Sequence, residues 1–123
     1  MQVSKTILII EDDEEMCWAL DSILEKEGYN VLAINRGKEA IQEIENQNID
    51  LIILDYKLPD MTGKKILDLW GVKNPKCKFI IITAYGTSKL KKELMNSGAV
   101  AFFDKPFKIK RLVNTVNKLL KTQ

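Results

Sequence analysis

The chain has 123 residues, 46% of them hydrophobic and 29% charged, with a formal net charge of +2. That length suits one domain with its own core, and no apolar run approaches the roughly 20 residues that span a bilayer. The absence of histidine excludes histidine-based zinc sites, Ser-His-Asp triads and phosphohistidine formation on this chain.

In chain order, strand-like and helix-like segments alternate five times. The first strand is expected at 6–10, where Ile7-Leu8-Ile9-Ile10 forms an apolar run that delivers Glu11, Asp12 and Asp13. A helix follows over about 14–27. Its apolar residues Met16, Ala19, Leu20, Ile23 and Leu24 recur at helical spacing, Asp13 can cap its start, and Gly28 can close it in the left-handed conformation. A second strand at 30–34 and a second helix at 38–46 come next. The third strand, at 50–54, carries Leu51-Ile52-Ile53-Leu54 and ends against Asp55. Helix 63–70, strand 78–82, helix 88–97 with Gly98 behind it, strand 100–103 and helix 108–121 complete the series. Trp18 and Trp70 are expected to pack on their helices.

Repeated strand–helix units with wholly apolar strands imply a parallel sheet between two helical layers. Right-handed crossovers leave few topologies, and the doubly wound five-stranded order 2-1-3-4-5 is the natural one at this size. No linker, repeat or low-complexity segment interrupts the chain, so residues 1–123 are expected to form a single domain.

In that order the first and third strands are neighbours at the topological switch point, where ligands of open α/β sheets bind. Glu11, Asp12 and Asp55 should therefore meet in one crevice. Thr83 leaves the fourth strand and Lys105 the fifth toward the same end. Clustered carboxylates are costly unless a proton or a hard cation balances them, and oxygen-only donors favour Mg²⁺, or Mn²⁺. A carboxylate can act as a nucleophile toward phosphorus, while a cation, an ammonium and a hydroxyl clamp the phosphoryl oxygens.

Charge is uneven along the chain: residues 1–62 hold 5 basic and 14 acidic side chains, a net −9, and residues 63–123 hold 14 and 3, a net +11. The basic half reads either as a solvated lysine surface or as a docking face for an acidic partner. Nucleic acid binding is not signalled, since no helix-turn-helix, zinc finger or aromatic-basic stacking motif is found. Cys17 and Cys77 stand 60 positions apart without a CxxC, the pattern of reduced thiols, and the N-terminus lacks the features of a signal peptide. A cytoplasmic location without membrane contact is expected.

Four motifs now stand in order at strand ends: Ile7-Leu8-Ile9-Ile10-Glu11-Asp12, Leu54-Asp55-x-x-Leu58-Pro59-x-x-x-Gly63, Ile82-Thr83-Ala84 and Lys105-Pro106-Phe107. With them the chain resembles the receiver domain of two-component response regulators, the flavodoxin-like, CheY-like family, over essentially its whole length. The resemblance implies that Asp55 accepts a phosphoryl group from the phosphohistidine of a sensor histidine kinase or a histidine phosphotransfer protein. It implies that Asp12 binds the metal directly, Glu11 through water and Lys57 through its backbone carbonyl, with Asp13 a cap or accessory acid. It further implies a cis Lys105–Pro106 bond.

The family's switch couples Thr83 to an aromatic residue three positions before Lys105, here Phe102. Many members have tyrosine there; without a hydroxyl, a switch at Phe102 would rest on packing. The output face of the family, formed by the fourth helix, fifth strand and fifth helix, would here carry Lys89, Lys91, Lys92, Lys108, Lys110 and Arg111. The donor would dock near the first helix. Lys57 and Tyr85, two positions after Asp55 and Thr83, would border the path of water to an acyl phosphate and slow its hydrolysis. The segment Met16-Cys17-Trp18-Ala19-Leu20 looks like receivers of enhancer-binding transcription activators. The chain is thus expected to act alone, as a relay intermediate, or as the N-terminal receiver of a longer regulator with an output domain. The alternative is an aspartate-nucleophile phosphatase or phosphotransferase acting on a small substrate. Haloacid-dehalogenase-type phosphatases, however, carry an acid two residues after the nucleophile, where this chain has Lys57. A flavin or nucleotide site would need a phosphate-cradling glycine motif, and none is present.

Overall fold

A computed structural model describes residues 4–71 and 73–121. Five strands, β1 (Thr6–Ile10), β2 (Asn30–Ile34), β3 (Leu51–Asp55), β4 (Lys78–Thr83) and β5 (Ala101–Asp104), alternate with five helices. These are α1 (Glu14–Lys26), α2 (Gly37–Asn46), α3 (Gly63–Gly71), α4 (Ser88–Asn96) and α5 (Ile109–Leu120). All strand pairs are parallel, and the sheet order is β2-β1-β3-β4-β5, the order expected from the alternation.

The apolar runs explain why β1, β3 and β4 are central. Ile7–Ile10, Leu51–Leu54 and Ile80–Ile82 are fully buried on both sheet faces. Alternation then divides them. Leu8, Ile10, Ile52, Leu54, Phe79 and Ile81 face Ala40, Ile44, Ile66, Leu67, Trp70 and Leu94 of α2, α3 and α4. Ile7, Ile9, Leu51, Ile53, Ile80 and Ile82 face Leu20 and Leu24 of α1 and Leu112, Val113, Val116 and Leu120 of α5. Each such Leu, Ile, Val or Phe side chain contributes about 1.5–3 kcal/mol by leaving water.

Local signals place the helix ends. The Asp13 carboxylate accepts from the Met16 backbone N–H at 3.2 Å, and Glu14 and Glu15 complement the positive start of α1. Gly28 and Gly98 take φ of +98° and +117° behind α1 and α4, where a side chain would be strained. The two tryptophans part company. Trp70 is buried, but Trp18 is 75% exposed, which corrects the expectation that both pack on their helices. Its position lies off the stripe formed by Met16, Leu20, Ile23 and Leu24. Both cysteines are free thiols, and burial pushes Cys17 up to about 11 and Cys77 up to about 12. Among the described residues no helix is long and apolar enough to cross a membrane.

Candidate functional site

Register brings the acids together. Ile10 pairs with Leu54, so the residues that follow them, Glu11 and Asp55, leave adjacent strands at one level. Glu11 is fully buried and Asp55 nearly so, while Asp12 is exposed at the rim. Their carboxylate oxygens can lie within 4.8 Å of one another. Opposite ligands of an octahedral Mg²⁺ stand about 4 Å apart, so this all-oxygen set fits such a cation with small side-chain adjustment.

Lys105 crosses to the acids from the end of β5. Its ammonium donates to Asp55 Oδ2 at 3.0 Å and to Glu11 Oε1, bridging the two buried carboxylates. The Lys105–Pro106 peptide bond is cis. Burial opposes the charge on Lys105, but hydrogen bonds and attraction from Glu11 and Asp55 outweigh it and raise its pKa above the usual lysine value. Asp12 is held above the ordinary carboxylate range. Hydrogen bonding with Glu11 is the main cause, followed by burial and by repulsion from the same carboxylate.

Backbone groups fix the remaining oxygens. The Asp13 N–H donates to Glu11 Oε2 at 3.1 Å, and the Lys57 N–H donates to Asp55 Oδ1 at 3.2 Å. Asp13 thus caps α1 and steadies Glu11 at once. The Cys17 thiol donates to the Glu11 carbonyl at 3.2 Å, a contact that nothing in the spacing of the cysteines signals.

Thr83 ends β4 fully buried, and its hydroxyl accepts from the Tyr85 N–H at 3.0 Å. Phe102 is half-buried against the core on the α2–α4 side of the sheet. Its ring carbon Cε1 comes within 3.1 Å of where a Cβ on Gly86 would stand, and Asp104 crowds the same point. Phe102 therefore touches the loop that follows Thr83. Lys57 and Tyr85 do meet: the ammonium sits 4.9 Å from the centre of the tyrosine ring.

Asp60, which sequence spacing does not single out, accepts from the Gly37 and Lys38 N–H groups at 2.9 and 3.0 Å. These bonds, first among them the one from Lys38, hold its carboxyl below the usual carboxylate range. A roomier cleft of about 480 Å³, lined in part by Ile44, Asp50, Trp70, Lys73 and Cys77, lies toward the opposite end of the sheet. Among the described residues Asp50 is the one acid that lines it, so chemistry rather than volume marks the site.

The fold is a parallel doubly wound sheet of the α/β class that gathers three carboxylates and a lysine at its switch point. Residues 7–117 match the response regulator receiver domain family, and the chain belongs to it. It is 33% identical over 118 residues to sporulation initiation phosphotransferase F of Bacillus subtilis strain 168, covering 96% of this chain and 95% of that protein. It is 32% identical over 114 residues to transcriptional regulatory protein ZraR of Escherichia coli K12, covering 93% of this chain but 26% of that protein. The share is similar, 28%, for a cyclic di-GMP phosphodiesterase of Thermotoga maritima, so the chain spans about a quarter of these two relatives.

Among solved structures it resembles a CheY-like receiver domain protein from Methanospirillum hungatei JF-1. The TM-score is 0.92 and the identity 33%, with 97% of this chain and 95% of that one covered. It also resembles the response regulator TrrA of Thermotoga maritima in complex with Mg²⁺-BeF. There the TM-score is 0.83 and the identity 31%, with 94% and 99% covered. Receiver domains are the phosphoaccepting modules of two-component signalling. They bind Mg²⁺ in an acidic pocket and interact with histidine kinases or phosphotransfer proteins.

Proposed function

We propose that Asp55 is the phosphoacceptor. The single observation that carries this reading is the Lys105 ammonium held between Glu11 and Asp55, with Asp12 in reach of the same point. An Asp55 oxygen forms the bond to phosphorus as the donor's phosphorus–nitrogen bond breaks, and the imidazole nitrogen keeps the electron pair. Lys105 supplies a positive charge, and Thr83 a hydroxyl, to the phosphoryl oxygens. Asp12, Asp55 and the Lys57 carbonyl would hold Mg²⁺ or Mn²⁺ directly, and Glu11 through water. The cation, when bound, offsets carboxylate repulsion and polarises a phosphoryl oxygen. Adduct formation from acetyl phosphate is expected to stop on chelation and to resume with Mg²⁺. Asp12→Asn should need at least ~10-fold more Mg²⁺. Phosphorylation indifferent to chelation would sink the metal assignment.

The bound phosphoryl group draws on Thr83, which lets Phe102 repack against the loop at Gly86 and shifts the face of α4, β5 and α5 between two arrangements. Lys89, Lys91, Lys92, Lys108, Lys110 and Arg111 are exposed there, which supports an acidic output domain or partner. The chain thus serves as a signalling phosphoacceptor, either alone or as the receiver of a longer regulator. It assists its own phosphorylation and slow dephosphorylation rather than turning over a small substrate. A cytoplasmic location accompanies that reading, and cell fractionation checks it.

Two neighbourhoods tune the reaction. The Lys57–Tyr85 pair shields the path of water to the acyl phosphate. Such an exposed pair is worth about 0.5–1 kcal/mol, so Lys57→Asn or Tyr85→Ala should shorten the phosphate lifetime roughly 2- to 5-fold. Decay as slow in both variants as in wild type would remove that role. The donor approaches from α1, whose exposed Trp18 offers an anchor of the kind that dominates interfaces. Trp18→Ala should slow transfer from a phosphorylated kinase or phosphotransfer domain roughly 10-fold and leave the rate with acetyl phosphate unchanged. Equal slowing with both donors would point to damage at the site instead.

A further inference from the structure

We propose that Asp60 is a positioning residue that moors the loop carrying Lys57 to the start of α2 and so holds the Lys57 carbonyl in place for the cation. This rests on the reading of Lys57 as a carbonyl ligand.

The loop between β3 and α3 is closed on itself. Lys57 bridges Thr62, the Leu58 N–H donates to the Met61 carbonyl at 3.1 Å, and the Gly63 N–H donates to the Tyr56 carbonyl. The root of the turn is tied to the sheet: the Tyr56 N–H donates to the Ile82 carbonyl, the Lys57 N–H donates to Asp55 Oδ1, and Leu58 is buried in the core. The tip is fastened from outside. Both Asp60 oxygens are engaged by the first two N–H groups of α2, a charge-assisted pair aided by the helix dipole. Beside this clamp, Met61 lies so close to Gly37 that a Cβ there would stand 2.4 Å from its Cγ. Helix α2 needs the clamp, because Arg36 occupies its N-cap position without a side-chain cap bond. It also anchors the clamp, since Ala40 and Ile44 are buried in the core. One carboxylate thereby joins a core-packed helix to a loop that begins at the acceptor strand.

Capping and mooring can be separated. Arg36 has the extended backbone of an N-cap, at φ −136° and ψ 142°. Arg36→Ser would place a hydroxyl there, three residues before Glu39, which is the spacing of a capping box. In the Asp60→Ala background this change restores a cap to α2 without restoring the link to the loop.

The experiment is calorimetric titration with Mg²⁺, alongside urea unfolding, of wild type, Asp60→Asn, Asp60→Ala and Asp60→Ala/Arg36→Ser. Asp60→Ala should lose stability and bind Mg²⁺ about 10-fold more weakly. The double variant should regain stability and remain weak. Asp60→Asn, which keeps one acceptor oxygen, should fall between and gives the comparison should Asp60→Ala not fold. Wild-type affinity in the double variant would overturn the proposal and leave Asp60 a helix cap. Absence of Mg²⁺ binding by wild type would overturn the acidic-site reading, and this inference with it.

Discussion

Lys105→Met is expected to lower the unfolding free energy by about 3 kcal/mol when no divalent cation is present. The substitution keeps the length of the side chain and removes the charge that balances Glu11, which is fully buried, and Asp55, which is nearly so. Removing one partner of a buried pair leaves the other charge uncompensated, at about 3–5 kcal/mol. The lower end applies because 18% of the Lys105 side chain reaches solvent. Mg²⁺ should return part of the loss, since it balances the same carboxylates.

The pH dependence has a definite sign. Lys105 has a raised pKa in the folded chain, so its contribution is fully present below the unfolded lysine value near 10.5. It is lost only as pH rises through the folded value. The difference between wild type and Lys105→Met should therefore stay constant from neutral pH to about pH 10 and shrink above it. With acetyl phosphate, adduct formation in the variant should slow by about 100- to 1000-fold, the usual effect of removing a donor aimed at developing charge. Unfolding curves that coincide with wild type in metal-free buffer would show that Lys105 does not hold the acids.

Gly63→Ala is expected to destabilise the fold by about 1–3 kcal/mol and to disturb Asp55. A Cβ at Gly63 would stand 2.7 Å from the Asp55 carbonyl oxygen, 3.0 Å from the Tyr56 Cα and 3.2 Å from the Leu54 Cγ. The first two are backbone atoms of β3 and its continuation, which cannot swing aside as a long side chain does. Relief requires α3 to back away from β3, which moves Asp55. Gly71, in the last turn of the same helix, is the control. A Cβ there would meet Leu67 at 3.7 Å and the Ser97 carbonyl at 4.0 Å, ordinary contacts, so Gly71→Ala should be neutral or stabilising. Urea unfolding of the two variants checks the pair, and equal stability would mean that the close approach at Gly63 is unimportant.

Much of the fold is legible because the strands are continuous apolar runs bounded by polar residues, and the repeated unit admits few topologies. The ends move by one residue for a physical reason. Asp55 and Asp104 lie within β3 and β5 because the ladders to β4 continue past the last apolar side chain, pairing Asp55 with Ile82 and Thr83 with Asp104. The meeting of Glu11, Asp12, Asp55, Thr83 and Lys105 at one sheet end also follows from strand order alone.

What spacing does not reveal depends on side chains reaching across the sequence. The bond from Lys105 to Glu11 spans 94 positions, and the Asp60 clamp on Gly37 spans 23. A faint signal for the clamp exists, since α2 begins after Arg36 with no capping side chain of its own. Trp18 carried a clearer one: it falls off the apolar stripe of α1, and a large aromatic off the stripe faces water. The close approach that makes Gly63 necessary has no local signature, because it is made by packing α3 against β3.

The central claim is that Asp55 takes a phosphoryl group with the help of a cation and Lys105. It is tested most directly by following intact mass over time with acetyl phosphate and Mg²⁺, for wild type and Asp55→Asn side by side. A single phosphoryl adduct on wild type, absent from the variant and decaying slowly once the donor is removed, is the predicted result. An adduct of equal yield on Asp55→Asn would contradict the account.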